Sequence, residues 1–286
     1  MILPHRTYFT LQTSELIFQV IKNQAQETEL NWIDQKSMMD LKGLSLAFVM
    51  CPRFISKATI SEPSLILPGW NFQAWSLDRL VRVYFLSLMA EKSVDEQAYI
   101  RQMNMLFDTA EMNEAVALYS AMPVLAYSDQ WILRATDAVR SNIGIVFDAI
   151  AFGNPYPAIH FSELAWNQLV LKCIFNDKPI HRIFGLMERN NAPLVQTLSD
   201  FAHERWAAGR RVPSQVWRLC SPFLNENLLN DIDHLLSHDD PKDILAGTLV
   251  LQESNFPGTH ALKEKYGIKP SAQTSWAPLE TTEPIY

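Results

Sequence analysis

The sequence predicts an all-α fold made of stacked antiparallel helix pairs, in the manner of an α-solenoid or HEAT-type protein. Only 9 of its 286 residues are glycine, and leucine, alanine, methionine and glutamine are frequent, which favours helix over sheet. Apolar residues recur at helical spacing almost everywhere after residue 76. The periodic segments are joined by short connections, which favours antiparallel neighbours, although no clean repeat period is visible.

The first region, residues 1–75, differs from the rest. Helices are predicted at 13–25 and 30–43, and the segment LSLAFVMCPRF fits either a buried helix or a strand. Residues 61–75 contain prolines, a glycine and two tryptophans, so they predict an ordered loop that packs through its rings. We expect this region to consist of N-terminal helices and a loop packed on the main body.

Residues 76–267 predict the helical, solenoid-like domain. Ser76 is placed to cap its first helix, which extends through Ala90, and Asp240-Pro241 is typical of a cap followed by proline in the first turn. Gly153 and Gly209 stand where helices should end. Further helices are predicted at 95–107, 111–121, 129–152, 161–176, 179–189, 192–208, 213–224, 227–237, 241–254 and 259–266. Residues 268–286 are rich in proline and predict a flexible tail.

Composition narrows the class of protein. The chain has 24 basic and 31 acidic residues, a formal charge of -7, which disfavours a nucleic-acid partner. Its three cysteines are dispersed and form neither a disulfide framework nor a zinc pattern. The N-terminus lacks the pattern of a signal peptide, and the apolar runs are too short for a membrane helix. We therefore expect a cytoplasmic protein.

The familiar catalytic and cofactor motifs are missing from the sequence. There is no glycine-rich phosphate loop and no GxSxG elbow, and the HExxH motif that begins at His203-Glu204 fails at Ala207. Two Asp-x-x-His pairs, Asp200 with His203 and Asp231 with His234, could each place two ligands on one helix face. Neither has an obvious partner set on another helix, so we expect no metal and no cofactor.

The stretch HERWAAGRRVPSQVWR is the most distinctive charged segment. It contains four arginines, two tryptophans and a single acidic residue, in a chain that is acidic overall. Guanidinium groups beside indole rings suit an anionic ligand with a flat apolar body. The alternative is an ordinary core stripe on helix 192–208 with the arginines as a solvated rim.

The predicted helix 161–176 is apolar on nearly every side apart from a thin polar stripe. Asn167, Gln168 and Lys172 form this stripe, which either locks helix packing or lines a cavity. We expect it to face the end of helix 192–208 near His203 and Trp206. The hypothetical ligand-binding set is Asn167, Gln168, Lys172, His203, Glu204, Arg205, Trp206, Arg210 and Arg211.

Several segments together resemble the EboA family of bacterial metabolite-traffic proteins. They are LSLAFVMCPRFISKA, PGWNFQAWSLDRLVRVY, RSNIGIVFDAIAFGNPYP, AWNQLVLKCIF and AHERWAAGRRVPSQVWR, of which NPYP, AWNQ-LVLK and AHERWA are the most specific. The resemblance implies a gene cluster that also encodes a UbiA-type prenyltransferase and is implicated in moving secondary-metabolite precursors toward the periplasm. It implies no catalytic residue.

The resemblance and the residues together lead to three functional hypotheses. The first is a non-enzymatic binding or adaptor protein that delivers an anionic aromatic or isoprenoid-linked metabolite, with other proteins of the cluster as partners, including a membrane prenyltransferase. The second is an enzyme that modifies this precursor, with His203 and Glu204 as acid and base. The third is a scaffold that binds only proteins.

Overall fold

A computed structural model describes residues 11–60, 67–72, 74–269 and 275–280, with side chains from residue 13 onward. Over this part of the chain the secondary structure is α-helix and short 3-10 helix without any β-strand, so the all-α prediction is confirmed. The described residues up to Trp166 form one compact unit, and those from Asn167 onward form a second.

The first unit contains nine complete helices and the start of a tenth among its described residues. They are α1 (Leu11–Lys22), α2 (Glu27–Ser37), α3 (Leu41–Met50), α4 (Leu77–Leu88), α5 (Glu96–Thr109), α6 (Met112–Ser120), α7 (Ile132–Arg140), α8 (Gly144–Ala151), α9 (Tyr156–His160) and the first residues of α10 (Glu163–Phe175). The ambiguous segment LSLAFVMCPRF is therefore helical as far as Met50. The predicted single helix 30–43 is wrong because Asp40 caps a new helix, accepting the Gly43 amide at 2.8 Å.

Helix α4 is central in the first unit. Most of its residues are buried, and it packs against α1, α3 and α6. Its buried Arg82 donates through Nε to the Phe48 carbonyl oxygen at 3.1 Å and lies within ion-pair distance of Glu111 and Glu114. A guanidinium taken out of water needs such partners, since an unpaired buried charge is costly.

The prediction of one continuous helix over 129–152 is wrong. A 3-10 helix, Ser128–Trp131, leads into α7, and α7 is separated from α8 at Ser141. The backbone of Ser141 is extended, and its hydroxyl accepts the Ile143 amide at 3.1 Å. A serine side chain that bonds the neighbouring backbone offers an alternative to the helical ladder, and here that alternative ends the helix.

Two further predicted α-helices, 179–189 and 213–224, are also wrong. The first contains only the 3-10 helix Ile180–Arg182, with Pro179 before it and Gly185 at a φ of +76° after it. The second is two 3-10 helices, Ser214–Leu219 and Ser221–Phe223. Pro222 interrupts this segment because it has no amide to donate to the helical ladder.

The second unit contains the rest of α10 together with α11 (Ala192–Ala207), α12 (Glu226–Leu236), α13 (Pro241–Glu253) and α14 (Thr259–Lys265). Helix α12 packs closely on α13. This approach depends on Gly247, where an added Cβ would come within 2.9 Å of Leu236 Cγ. The predicted cap of α13 is confirmed, since Asp240 Oδ1 accepts the Lys242 amide at 2.8 Å.

Some predictions fall partly outside the described residues. The described residues do not include 61–66 and 73 of the predicted loop 61–75, or 270–274 and 281–286 of the predicted tail. Within the tail, Trp276 is buried and donates to Glu253 Oε1 at 2.7 Å, and Glu280 pairs with Arg218 at 2.9 Å. The boundaries at 75 and 267 stay predictions. Among the described helices, none has the length and apolar character needed to cross a bilayer.

Candidate functional site

A cavity of about 370 Å³ lies in the second unit, where the end of α11, the end of α12 and the start of α13 meet. Its lining combines one indole, two arginines, two histidines and three aspartates. The lining residues are Trp206, Gly209, Arg210, Arg211, Val212, His234, His238, Asp239, Asp240 and Asp243.

The turn that ends α11 places the two arginines that follow it along the cavity. Gly209 adopts a left-handed backbone with a φ of +65° and stops the helix, as the sequence predicts. Its amide bonds the Trp206 carbonyl at 2.9 Å, while the Arg210 amide reaches back to the Arg205 carbonyl at 2.8 Å. These two bonds satisfy carbonyls that a helix end leaves without partners, and they turn the chain so that Arg210 and Arg211 follow along the cavity.

Trp206 provides the flat apolar part of the lining. It is half-buried and stacks on the fully buried Trp217 with centroids 5.6 Å apart and ring planes within 10°. The rings of His234 and His203 lie 4.2 Å and 5.8 Å from it. The indole is therefore held by aromatic neighbours, which limits its motion and keeps one stable apolar surface beside the charged groups.

Two buried aspartates hold histidines at or near the cavity, Asp231 holding His203 and Asp243 holding His238. Asp231, which is 3% exposed, accepts bonds from the Ser199 hydroxyl and from His203 Nε2, each at 2.6 Å. Asp243, which is 5% exposed, lies against the Ser214 hydroxyl at 2.6 Å and His238 Nδ1 at 3.2 Å.

These bonds also decide how the histidines present their nitrogens. Because an ionised carboxylate can only accept, His238 donates through Nδ1, and in the neutral imidazole Nε2 then carries the lone pair. That Nε2 lies 3.0 Å from His234 Nε2. Partial desolvation lowers the pKa of His234, although the residue is exposed, and the neighbouring His238 lowers it further. The exposed His234 thus stays neutral more readily than an ordinary histidine.

Arg205, Arg210 and Arg211 have three different environments. Arg211 forms an ion pair with Asp240 at the cavity rim. Arg205 donates to the Arg211 carbonyl and stacks over Phe201, and it does not line the cavity. Arg210 is exposed and, within the described part of the chain, its guanidinium has neither a hydrogen bond nor an ion pair. Arg210 is therefore the cation most available to an incoming anion.

The polar stripe of α10 lies elsewhere. The amides of Asn167 and Asn191 bond each other in both directions, at 3.1 and 2.8 Å, and Asn191 also caps α11. His203 is twelve residues further along α11, about 18 Å at the helical rise. The expected placement of Asn167 beside His203 is therefore wrong.

The other predicted binding residues also lie off the cavity wall. Gln168 and Glu204 are exposed, and Lys172 is half-buried, with a pKa lowered mainly by desolvation. Neither they nor His203 belong to the described cavity lining. Of the predicted set, the structure brings together Trp206, Arg210 and Arg211. Ligand binding by any member of the set stays a prediction.

The sequence did not identify His238 and Asp243 as part of the site. The Asp-x-x-His residues have other partners in the structure: Asp231 of α12 bonds His203 of α11, and Asp200 accepts from Gln196 within α11 at 3.0 Å. The i, i+4 spacing of His234 and His238 was the available signal. Within the described residues, no three or more His, Cys, Asp or Glu side chains are grouped to hold a metal.

Comparison with known protein families gives a match. The family model described as "Metabolite traffic protein EboA" matches residues 13–221. No curated protein and no solved structure matches the chain. The matched residues include the α11 side of the cavity, and the α12 and α13 side follows them in the chain.

Proposed function

We propose, from the premise that the chain belongs to the EboA family of metabolite-traffic proteins, that it is a non-enzymatic binding component of this traffic. Its cargo would be a small precursor held in the cavity of the second unit. The observation that carries the proposal is the lining itself, in which Trp206 and the unpaired guanidinium of Arg210 border the same cavity.

The lining favours a flat acid as the cargo. A cavity of about 370 Å³ is within the usual range for small-molecule sites, roughly 300–1,000 Å³. Trp206 and Val212 are the apolar side chains of the lining, and most of the other lining residues are charged or carry an imidazole, so an aromatic acid fits better than a long isoprenoid chain. Asp239 would repel a polyanion and Asp240 already pairs with Arg211, which leaves Arg210 to bind a single anionic group.

The cellular setting of the proposal comes from the family alone. We propose a cytoplasmic adaptor that delivers a secondary-metabolite precursor to a membrane enzyme, such as a prenyltransferase of the same gene cluster, for movement toward the periplasm. The formal charge of -7 supports a partner other than nucleic acid.

Native mass spectrometry of protein purified from its own host tests the proposal. The wild-type chain should retain a small molecule, and Arg210→Ala and Trp206→Ala should lose it. Arg53→Ala removes an exposed arginine of the first unit and is the matched control, so it should retain the molecule. An empty wild-type protein, or equal retention by all four proteins, would refute cargo binding at this cavity.

An enzymatic role is the second candidate, and one observation favours it. The bond from His203 to the buried Asp231 orients an imidazole as a general acid or base requires. Glu204 is a poor partner for it, because adjacent residues point about 100° apart on a helix. Incubating the released molecule with fresh protein decides between the two roles, since an enzyme would convert it and a carrier would return it unchanged.

A scaffold with an α-solenoid arrangement is the third candidate. In the first unit α4 packs on α6 and α6 on α8, the alternation expected when helix pairs are stacked. A pure scaffold needs no small ligand, so it predicts that purified complexes contain cluster proteins whether or not Arg210 and Trp206 are intact.

A further inference from the structure

Contrary to the expectation of no metal that the sequence suggests, we propose that His234 and His238 form a binding site for a divalent transition-metal ion, with copper and nickel preferred to zinc. The site consists of the two Nε2 atoms, and its open positions face the cavity. The proposal rests on the geometry of the two rings and holds whether or not the cavity carries a metabolite.

The nitrogen separation fits chelation of one ion. Imidazole nitrogens bind such metals at about 2.0–2.1 Å. Two nitrogens 3.0 Å apart would then subtend an angle of about 95° at a shared ion. This angle is close to the right angle of square-planar and octahedral centres, which are typical of Cu²⁺ and Ni²⁺, and it is narrower than the tetrahedral angle of zinc sites.

The rings of His234 and His238 are arranged at an angle to the line that joins their Nε2 atoms. A head-on hydrogen bond between the two nitrogens would separate the ring centroids by the nitrogen distance plus both ring radii. The centroids are only 4.4 Å apart while the nitrogens are 3.0 Å apart, and the ring planes meet at 69°. The two nitrogens are therefore not directed straight at each other. Two imidazoles that bind one shared ion have the same bent arrangement.

His238 has the hydrogen-bonded carboxylate that usually accompanies a metal-binding histidine. Its Nδ1 donates to Asp243, which is held in turn by the Ser214 hydroxyl. A carboxylate behind a ligating histidine fixes the tautomer that exposes the Nε2 lone pair and makes the imidazole a stronger ligand. His234 is exposed on α12, so its ring has the freedom to complete the site.

The remaining coordination positions require ligands from outside the chain, since no third protein ligand is grouped with the pair in the described residues. Water or an oxygen donor in the cavity would fill them. The expected ion is thus accessible and exchangeable, unlike the closed four-ligand ion of a structural zinc site.

The test uses the full-length chain without an affinity tag. Isothermal titration calorimetry with CuCl₂, NiCl₂ and ZnCl₂ measures affinity, and electron paramagnetic resonance of the Cu²⁺ form reports the coordinating nitrogens. Wild type should bind Cu²⁺ and Ni²⁺ more tightly than Zn²⁺ and show two nitrogen ligands. His234→Gln and His238→Gln should each lose one nitrogen and most of the affinity, and Asp243→Asn should weaken binding by about 10–100-fold.

His260→Gln is the matched control, because His260 is exposed and lies outside the cavity lining. It should bind like wild type. Absence of binding by wild type, or unchanged binding in both His234→Gln and His238→Gln, would overturn the proposal. Should the buried Asp243→Asn fail to fold, the two histidine variants still decide, because their positions are exposed or half-exposed.

Discussion

The carboxylate of Asp231 offers a quantitative test of how the second unit is held together. It is almost fully buried and receives two bonds of equal length, one from Ser199 and one from His203. The donors differ in exposure, since Ser199 is 5% exposed whereas the His203 side chain is 60% exposed. Replacing each by alanine therefore removes similar bonds in different surroundings.

The expected costs follow from whether water can replace the lost donor. A hydrogen bond to a charged group contributes about 1.5–3 kcal/mol. Water cannot readily reach the place of Ser199, so Ser199→Ala should cost about 2–3 kcal/mol, near the top of that range. Water can reach the place of His203, and His203→Ala should cost about 1 kcal/mol. The double variant should be non-additive because both donors share one acceptor.

Urea unfolding, followed by circular dichroism and tryptophan fluorescence, measures these differences in free energy. Ser237→Ala is the matched control, since among the described residues this exposed hydroxyl bonds the His234 carbonyl alone, at the end of α12, and the control should stay within about 0.5 kcal/mol of wild type. A larger loss for His203→Ala than for Ser199→Ala, or additive effects in the double variant, would refute the argument from burial.

Three further outcomes are expected. Gly247→Ala should destabilise the protein by about 1–3 kcal/mol in urea unfolding despite alanine's higher helix propensity, because the added methyl meets a leucine of α12, and a stabilised variant would contradict this packing. Asn191→Ala should cost about 1–2 kcal/mol, and Asn191→Asp less, because aspartate keeps the cap and the bond accepted from Asn167 and loses the two bonds that Asn191 Nδ2 donates, to Asn167 and to the Arg189 carbonyl; equal losses in thermal melts would show that the cap does not matter. Hydrogen bonds from Lys265 and a tyrosine lower the pKa of Asp233 below its unfolded value, so its contribution is present above about pH 4 and is lost as the pH falls through the folded pKa. The melting temperature of Asp233→Asn should accordingly lie below that of wild type at neutral pH and converge with it in acid, and a gap that persists at about pH 2 would exclude this linkage.

Local chemistry explains which parts of the fold were predictable. The cap at Asp240 and the stop at Gly209 involve atoms a few residues apart, so sequence alone indicates them. The break at Ser141 is also local, but serine is common inside helices, and only the bond to the Ile143 amide shows that it ends one. The 3-10 segments were misread because their apolar spacing resembles that of an α-helix.

The site was predictable only on one side. Trp206, Arg210 and Arg211 stand together in sequence and therefore stay together in space. Asp243 and His238 join them through packing of α12 and α13, and pairings such as Asp231 with His203 cross between helices. The spacing of apolar residues along the sequence does not predict which aspartate a histidine will contact on another helix.

The two carboxylate oxygens of Asp240 make different contacts beside the cavity. Asp240 uses Oδ1 to cap α13 and Oδ2 to hold Arg211. An anion that drew Arg211 away would release Oδ2 and leave the cap intact. Exchange of partners at the rim is consequently a side-chain event that leaves the first turn of α13 in place. The cap and the ion pair can therefore be lost separately, although one side chain makes both.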